Sequence, residues 1–112
     1  MTRTKSIAAR RHKKIKKLAK GFRQARRSRV KTAKEALLHA GQYAYAGRKL
    51  RKRNLRKLWI IRLNAAVKKE GISYSKFIAG LKREKIEIDR KILAEIAVND
   101  PKTFTEIVNS IK

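Results

Sequence analysis

Apolar residues recur along this chain with the three-to-four-residue spacing of helices, and nowhere with the sustained alternation of strands. Ile15, Leu18, Ala19 and Phe22 follow that helical spacing. They predict a weakly amphipathic helix from about Ala8 to Lys20, ended by Gly21. No proline interrupts the stretch from Gln24 to Glu70. Gly41 and Gly47 each cost about 1 kcal/mol relative to alanine in a helix interior, so they permit a kink without forcing a stop. Gly71 suits the left-handed position just past a helix end. One continuous helix over this range would be roughly 70 Å long. That exceeds the diameter of a small domain, so its first half is expected to project.

Three short helices follow, each with a start signal. Ser73 is placed to cap a helix presenting Tyr74, Phe77, Ile78 and Leu81. Asp89 is placed to cap one presenting Ile92, Leu93 and Ile96, with Ile88 and Leu93 positioned as a hydrophobic staple. Asp100 followed by Pro101 reads as a cap with proline in the first helical position, and this helix presents Phe104, Ile107, Val108 and Ile111. The facing surface is expected from Leu55, Leu58, Trp59, Ile61, Leu63, Ala66 and Val67, a stretch apolar on several sides, as in a helix wrapped by others. The expected fold is all-α: a long, extended, basic N-terminal helical arm and a small C-terminal helical bundle.

Charge sharpens this division. Residues 1–57 carry 22 Lys/Arg and one acid, Glu35, for a net +21, whereas residues 58–112 carry 11 Lys/Arg and seven acids, for a net +4. The first zone cannot cover itself with ion pairs, and its self-repulsion opposes compaction. A dense anionic partner removes that obstacle, and nucleic acid supplies one while releasing counterions. The expected domains are a basic arm, residues 1–54, and a globular domain, residues 55–112, near the lower size limit for folding alone. Cysteine is absent, which excludes disulfides, thiolate metal sites and thiol nucleophiles. No apolar segment follows the basic N-terminus as in a secretory signal. The longest uncharged stretch, Ala36–Gly47, is far shorter than the roughly 20 apolar residues of a membrane span. The expectation is a cytoplasmic, soluble chain.

The candidate RNA-binding cations are Arg3, Lys5, Arg10, Arg11, Lys13, Lys14, Lys16, Lys17, Lys20, Arg23, Arg26, Arg27, Arg29, Lys31, Lys34, Arg48, Lys49, Arg51, Lys52, Arg53, Arg56 and Lys57, with His12 among them. On helices these positions point all round the axis. A major-groove reader needs one basic face, whereas a cavity in folded RNA presents phosphates on every side. Phe22, Tyr43 and Tyr45 lie among the cations. They can stack on unpaired bases or pack against a neighbouring helix. Trp59, inside Leu58-Trp59-Ile60-Ile61, reads as core. Arg62 and Asn64 alternate with apolar residues and are placed to emerge at the RNA-facing edge of the domain. His12 and His39 have no partners at metal-ligand spacing. The scattered acids suit capping and surface pairing better than acid–base chemistry. No catalytic residues, metal or cofactor are expected, and the chain does not read as an enzyme.

Several segments resemble the bacterial large-subunit ribosomal protein L-twenty family. The most specific are Lys52, Arg56, Leu58-Trp59-Ile60-Ile61-Arg62-Leu63-Asn64 and Lys68; Gly41-Gln42-Tyr43-Ala44-Tyr45, Gly71 to Ile78 and Glu87 to Ala94 also match. Phe22 is followed by Arg23, where relatives often carry a second aromatic. The resemblance implies a structural constituent of the large ribosomal subunit that binds 23S ribosomal RNA directly and supports early subunit assembly. Its arm would thread between RNA segments and its small domain would lie on the surface, beside neighbouring large-subunit ribosomal proteins. In some bacteria the family also represses translation of its own mRNA. Charge alone fits a competing reading, a protein that coats DNA non-specifically; the two-zone charge layout favours folded RNA. A membrane-surface binder would need a broad apolar face that the arm lacks.

Overall fold

A computed structural model describes residues 6–112. It is all-helical, with two helices before one long helix and three short ones after it: α1 (Ile7–Leu18), α2 (Ala25–Ser28), α3 (Val30–Lys69), α4 (Tyr74–Arg83), α5 (Arg90–Asn99) and α6 (Pro101–Ser110). The chain divides into two compact units, Met1–Lys49 and Leu50–Lys112.

In the first unit the Ser6 side chain caps α1 by accepting from the Ala9 N–H at 3.1 Å. Gly21, with φ of +90°, follows its end. Ala19 and Ala33 are fully buried, whereas Leu18, expected on the apolar face, is 63% exposed. Gly41 and Gly47 lie inside α3 without ending it. The uninterrupted helix expected from Gln24 is broken instead at Arg29, whose backbone is extended. Its N–H closes α2 on the Ala25 carbonyl (2.8 Å), and its own carbonyl opens α3 by accepting from Ala33 N–H (2.9 Å). The Thr32 hydroxyl also lies within donating distance of both carbonyls, Ala25 O (2.9 Å) and Arg29 O (3.1 Å), each of which already accepts from a backbone N–H. A polar side chain thereby adds a second donor to the backbone where the helix is interrupted.

In the second unit four helices share one core. It comprises Leu63 and Val67 of α3, Phe77 and Leu81 of α4, Leu93 and Ala94 of α5, and Phe104 and Val108 of α6, with Ile111 just beyond. The Phe77 and Phe104 rings meet with centroids 5.7 Å apart, within the range of favourable aromatic pairs. All three expected caps form: Ser73 accepts from Lys76 N–H, Asp89 from Ile92 N–H and Asp100 from Thr103 N–H. Helix α3 stops at Gly71, φ +77°, with Ile72 N–H reaching back to Val67 O and Gly71 N–H to Lys68 O. This pairs orphan carbonyls and turns Ile72 onto the core. Polar ties link the helices: Thr105 Oγ1 donates to Glu70 Oε1 (3.0 Å) and Arg90 Nε to the Tyr74 hydroxyl (3.0 Å).

The core is narrower than the apolar pattern suggested. Leu55, Leu58 and Ile61 of α3 and Ile92 of α5 are exposed, and Trp59 is half-buried against the core. Helix α3 offers its partners a single face, through Trp59, Leu63 and Val67. Residues that project elsewhere have no helix to cover them.

Candidate nucleic-acid interface

Arg10, Arg11, His12, Lys13, Lys14, Lys16 and Lys17 stand exposed on α1, and Lys20 and Arg23 on the turn after it. Arg26 and Arg27 are exposed on α2, Arg29 at the break, and Lys31 and Lys34 at the start of α3. Arg48, Lys49, Arg51, Lys52, Arg53, Arg56, Lys57 and Arg62 are exposed further along α3. Phe22 and Asn64 are half-buried. Arg3 and Lys5 lie outside the described residues. Among the described residues the one salt bridge joins Arg83 to Glu84. Every described candidate cation therefore has its charge available to an external partner.

The distinctive stretch is Leu38 to Leu58, in which every residue is exposed. Among the described residues nothing buries this stretch, and only His39 and Tyr43, near its start, border a cleft. At 100° per residue, the cations between Arg48 and Lys57 spread over roughly 240° of the circumference. The remaining sector carries Leu50, Asn54, Leu58 and, one turn on, Ile61. Tyr43 is 76% exposed and Tyr45 57% exposed, so neither packs against a neighbouring helix. The Lys49 ammonium sits 4.9 Å from the Tyr45 ring centroid, a cation–π contact across one turn.

Phe22 belongs to a different feature. It lines a cleft of about 560 Å³ within the first unit, with Arg26, Glu35, His39 and Tyr43. Glu35 and His39 were not singled out as site residues in the sequence. The signal was present: Thr32, Glu35, Ala36, His39 and Tyr43 fall on one helical face. Among the described residues no three His, Asp or Glu side chains converge as a metal site requires. None of the described helices is long and apolar enough to cross a membrane.

A family model described as Ribosomal protein L20 matches residues 2–107. The large ribosomal subunit protein bL20 of Methylibium petroleiphilum is 57% identical over 102 residues, covering 91% of this chain and 86% of the relative. Its counterpart in Caldanaerobacter subterraneus subsp. tengcongensis is 54% identical over 114 residues, covering 100% and 96%. That of Leptothrix cholodnii is 53% identical over 102 residues, covering 91% and 86%.

Proposed function

Because this chain belongs to the Ribosomal protein L20 family, and is therefore a structural, RNA-binding protein of the large ribosomal subunit rather than an enzyme, we propose that it binds 23S ribosomal RNA directly through its basic arm. The observation that carries this reading is the bare, cationic stretch of α3 from Leu38 to Leu58. Cations over most of a helix's circumference suit a channel between RNA segments, where phosphates approach from several sides. Residues 1–54 act as this arm and supply most of the electrostatic affinity. Residues 55–112, with few net charges and a fixed core, supply much of the site selection, because shape rather than phosphate contact distinguishes one site from another. Arg62 and Asn64 lie at the edge of this domain's packed face and extend the interface.

An arm that threads between RNA segments must enter before those segments close. This supports action early in large-subunit assembly, beside neighbouring large-subunit proteins. The same residues would bind an mRNA segment that copies the shape of the ribosomal site, which is how repression of its own message would operate. The test is crosslinking of the full chain to 23S ribosomal RNA, with the joined nucleotides mapped. Crosslinks from the 38–58 stretch to two or more RNA segments are expected. Crosslinks confined to one exposed strand would contradict threading.

A further inference from the structure

Glu35 is the sole acid in the first 57 residues, and it lines the cleft shared with Phe22, Arg26, His39 and Tyr43. The cleft volume, about 560 Å³, lies within the roughly 300–1,000 Å³ of small-ligand sites. An acid at this place weakens phosphate binding, and Glu35 makes no salt bridge with any described residue that would offset it. Three of the other lining residues carry aromatic rings. Phe22 is half-buried, and His39 and Tyr43 follow Glu35 on the same face of α3 at successive turns.

The turn that holds Phe22 and Arg26 over this face is constrained. Gln24 adopts φ 49° and ψ −132°, a conformation that favours glycine. The turn is closed by Arg26 N–H donating to Arg23 O at 3.2 Å. Thr32 ties α2 to α3 through the Ala25 carbonyl. Departures of this kind concentrate where a ligand is gripped.

We infer that the cleft takes an RNA base turned out of its stack, and that Glu35 selects guanine. This rests on the proposed RNA-binding reading of the arm. Unstacked bases are recognised by stacking on aromatic or guanidinium planes and by hydrogen bonds to their exposed edges. A carboxylate is an acceptor only, with two oxygens side by side. The guanine Watson–Crick edge presents N1–H and N2–H as adjacent donors, and so forms two parallel charge-assisted bonds. Adenine and cytosine each offer one exocyclic amine donor on that edge. Uracil flanks its N3–H with two carbonyl oxygens that a carboxylate repels. Phe22, His39 and Tyr43 supply the stacking surface, and Arg26 meets the phosphate of the extruded nucleotide.

The test compares the full chain with Glu35→Gln on short oligouridylates carrying one central guanosine, inosine, adenosine or uridine, and on a 23S ribosomal RNA fragment. The intact chain should prefer guanosine over adenosine by about tenfold, as a bidentate base contact gives. Inosine, which lacks the 2-amino group, should fall between them. Glu35→Gln should abolish the preference while leaving the all-uridine oligomer bound as well or slightly better. If Glu35→Gln instead tightens every oligomer equally, or the intact chain shows no guanosine preference, the inference fails while binding to the 23S fragment stands. Absence of binding to the 23S fragment would overturn the RNA-binding reading itself.

Discussion

Gly80 and Ile111 approach so closely that a Cβ added at Gly80 would lie 2.9 Å from the Ile111 Cβ and 3.2 Å from its carbonyl oxygen. The Arg83 guanidinium donates to that carbonyl at 3.0 Å, so a retreat of Ile111 would strain this hydrogen bond as well. Gly80 thus sets how closely α4 meets the end of α6. Gly80→Ala should destabilise the second unit by about 1–2 kcal/mol, because overpacking exceeds the gain in helix propensity. Thermal unfolding of the full chain, followed by Trp59 fluorescence, checks this; an unchanged or raised midpoint would show that the contact yields.

Lys85 stands in the left-handed region, φ 54°, at the position glycine usually holds after a helix. Its N–H bonds to Lys82 O and that of Ile86 to Leu81 O, turning Ile86 onto the core. A side chain at this φ is strained. Lys85→Gly should therefore stabilise the unit by about 0.5–1 kcal/mol, even after the added freedom of the unfolded chain. Urea denaturation would read this as a higher midpoint with an unchanged slope.

The Asp100 carboxylate accepts from the Thr103 hydroxyl and from the Thr103 N–H, and these bonds lower its pKa from the ordinary aspartate value. The folded state therefore binds this proton less readily than the unfolded chain. The contribution is complete above the unfolded-state pKa and is lost as pH falls through the folded-state value. Asp100→Asn, which keeps a capping oxygen, should flatten the acid limb of the melting temperature plotted against pH. An identical acid limb would mean that the cap is not the titrating element.

Trp59 is half-buried and packs on the edge of the core. Its replacement by alanine should cost about 1–3 kcal/mol, below the range for a fully buried aromatic. Far-ultraviolet circular dichroism during urea unfolding measures this. A loss at or above the fully buried range would place the indole deeper than the structure does.

The helix caps were legible because each depends on residues three apart: Ser73, Asp89 and Asp100 needed no tertiary information. The all-helical fold and the long helix followed from periodicity and from the single proline. The break at Arg29 was not legible, because no glycine or proline marks it and the Thr32 contact that spans it reaches a carbonyl seven residues back. Which apolar residues of α3 form the core was hidden for another reason. Leu55, Leu58 and Ile61 resemble Leu63 and Val67 in composition, and only the positions of α4, α5 and α6 distinguish them. The exposed cations could be read directly from charge imbalance. The cleft at Glu35 needed the folded turn that carries Phe22 across.

The proposed neutralisation of 23S ribosomal RNA phosphates by the exposed cationic helix is read in the salt dependence of binding. Its most direct test is a salt titration of the full chain and of a variant with Arg48, Lys49, Arg51, Lys52 and Arg53 changed to glutamine. Each phosphate that is no longer neutralised lowers the slope of log affinity against log salt by about 0.7–0.9. Weaker binding and a slope shallower by about 3.5–4.5 are expected when all five engage phosphate. An unchanged slope and affinity would contradict that neutralisation.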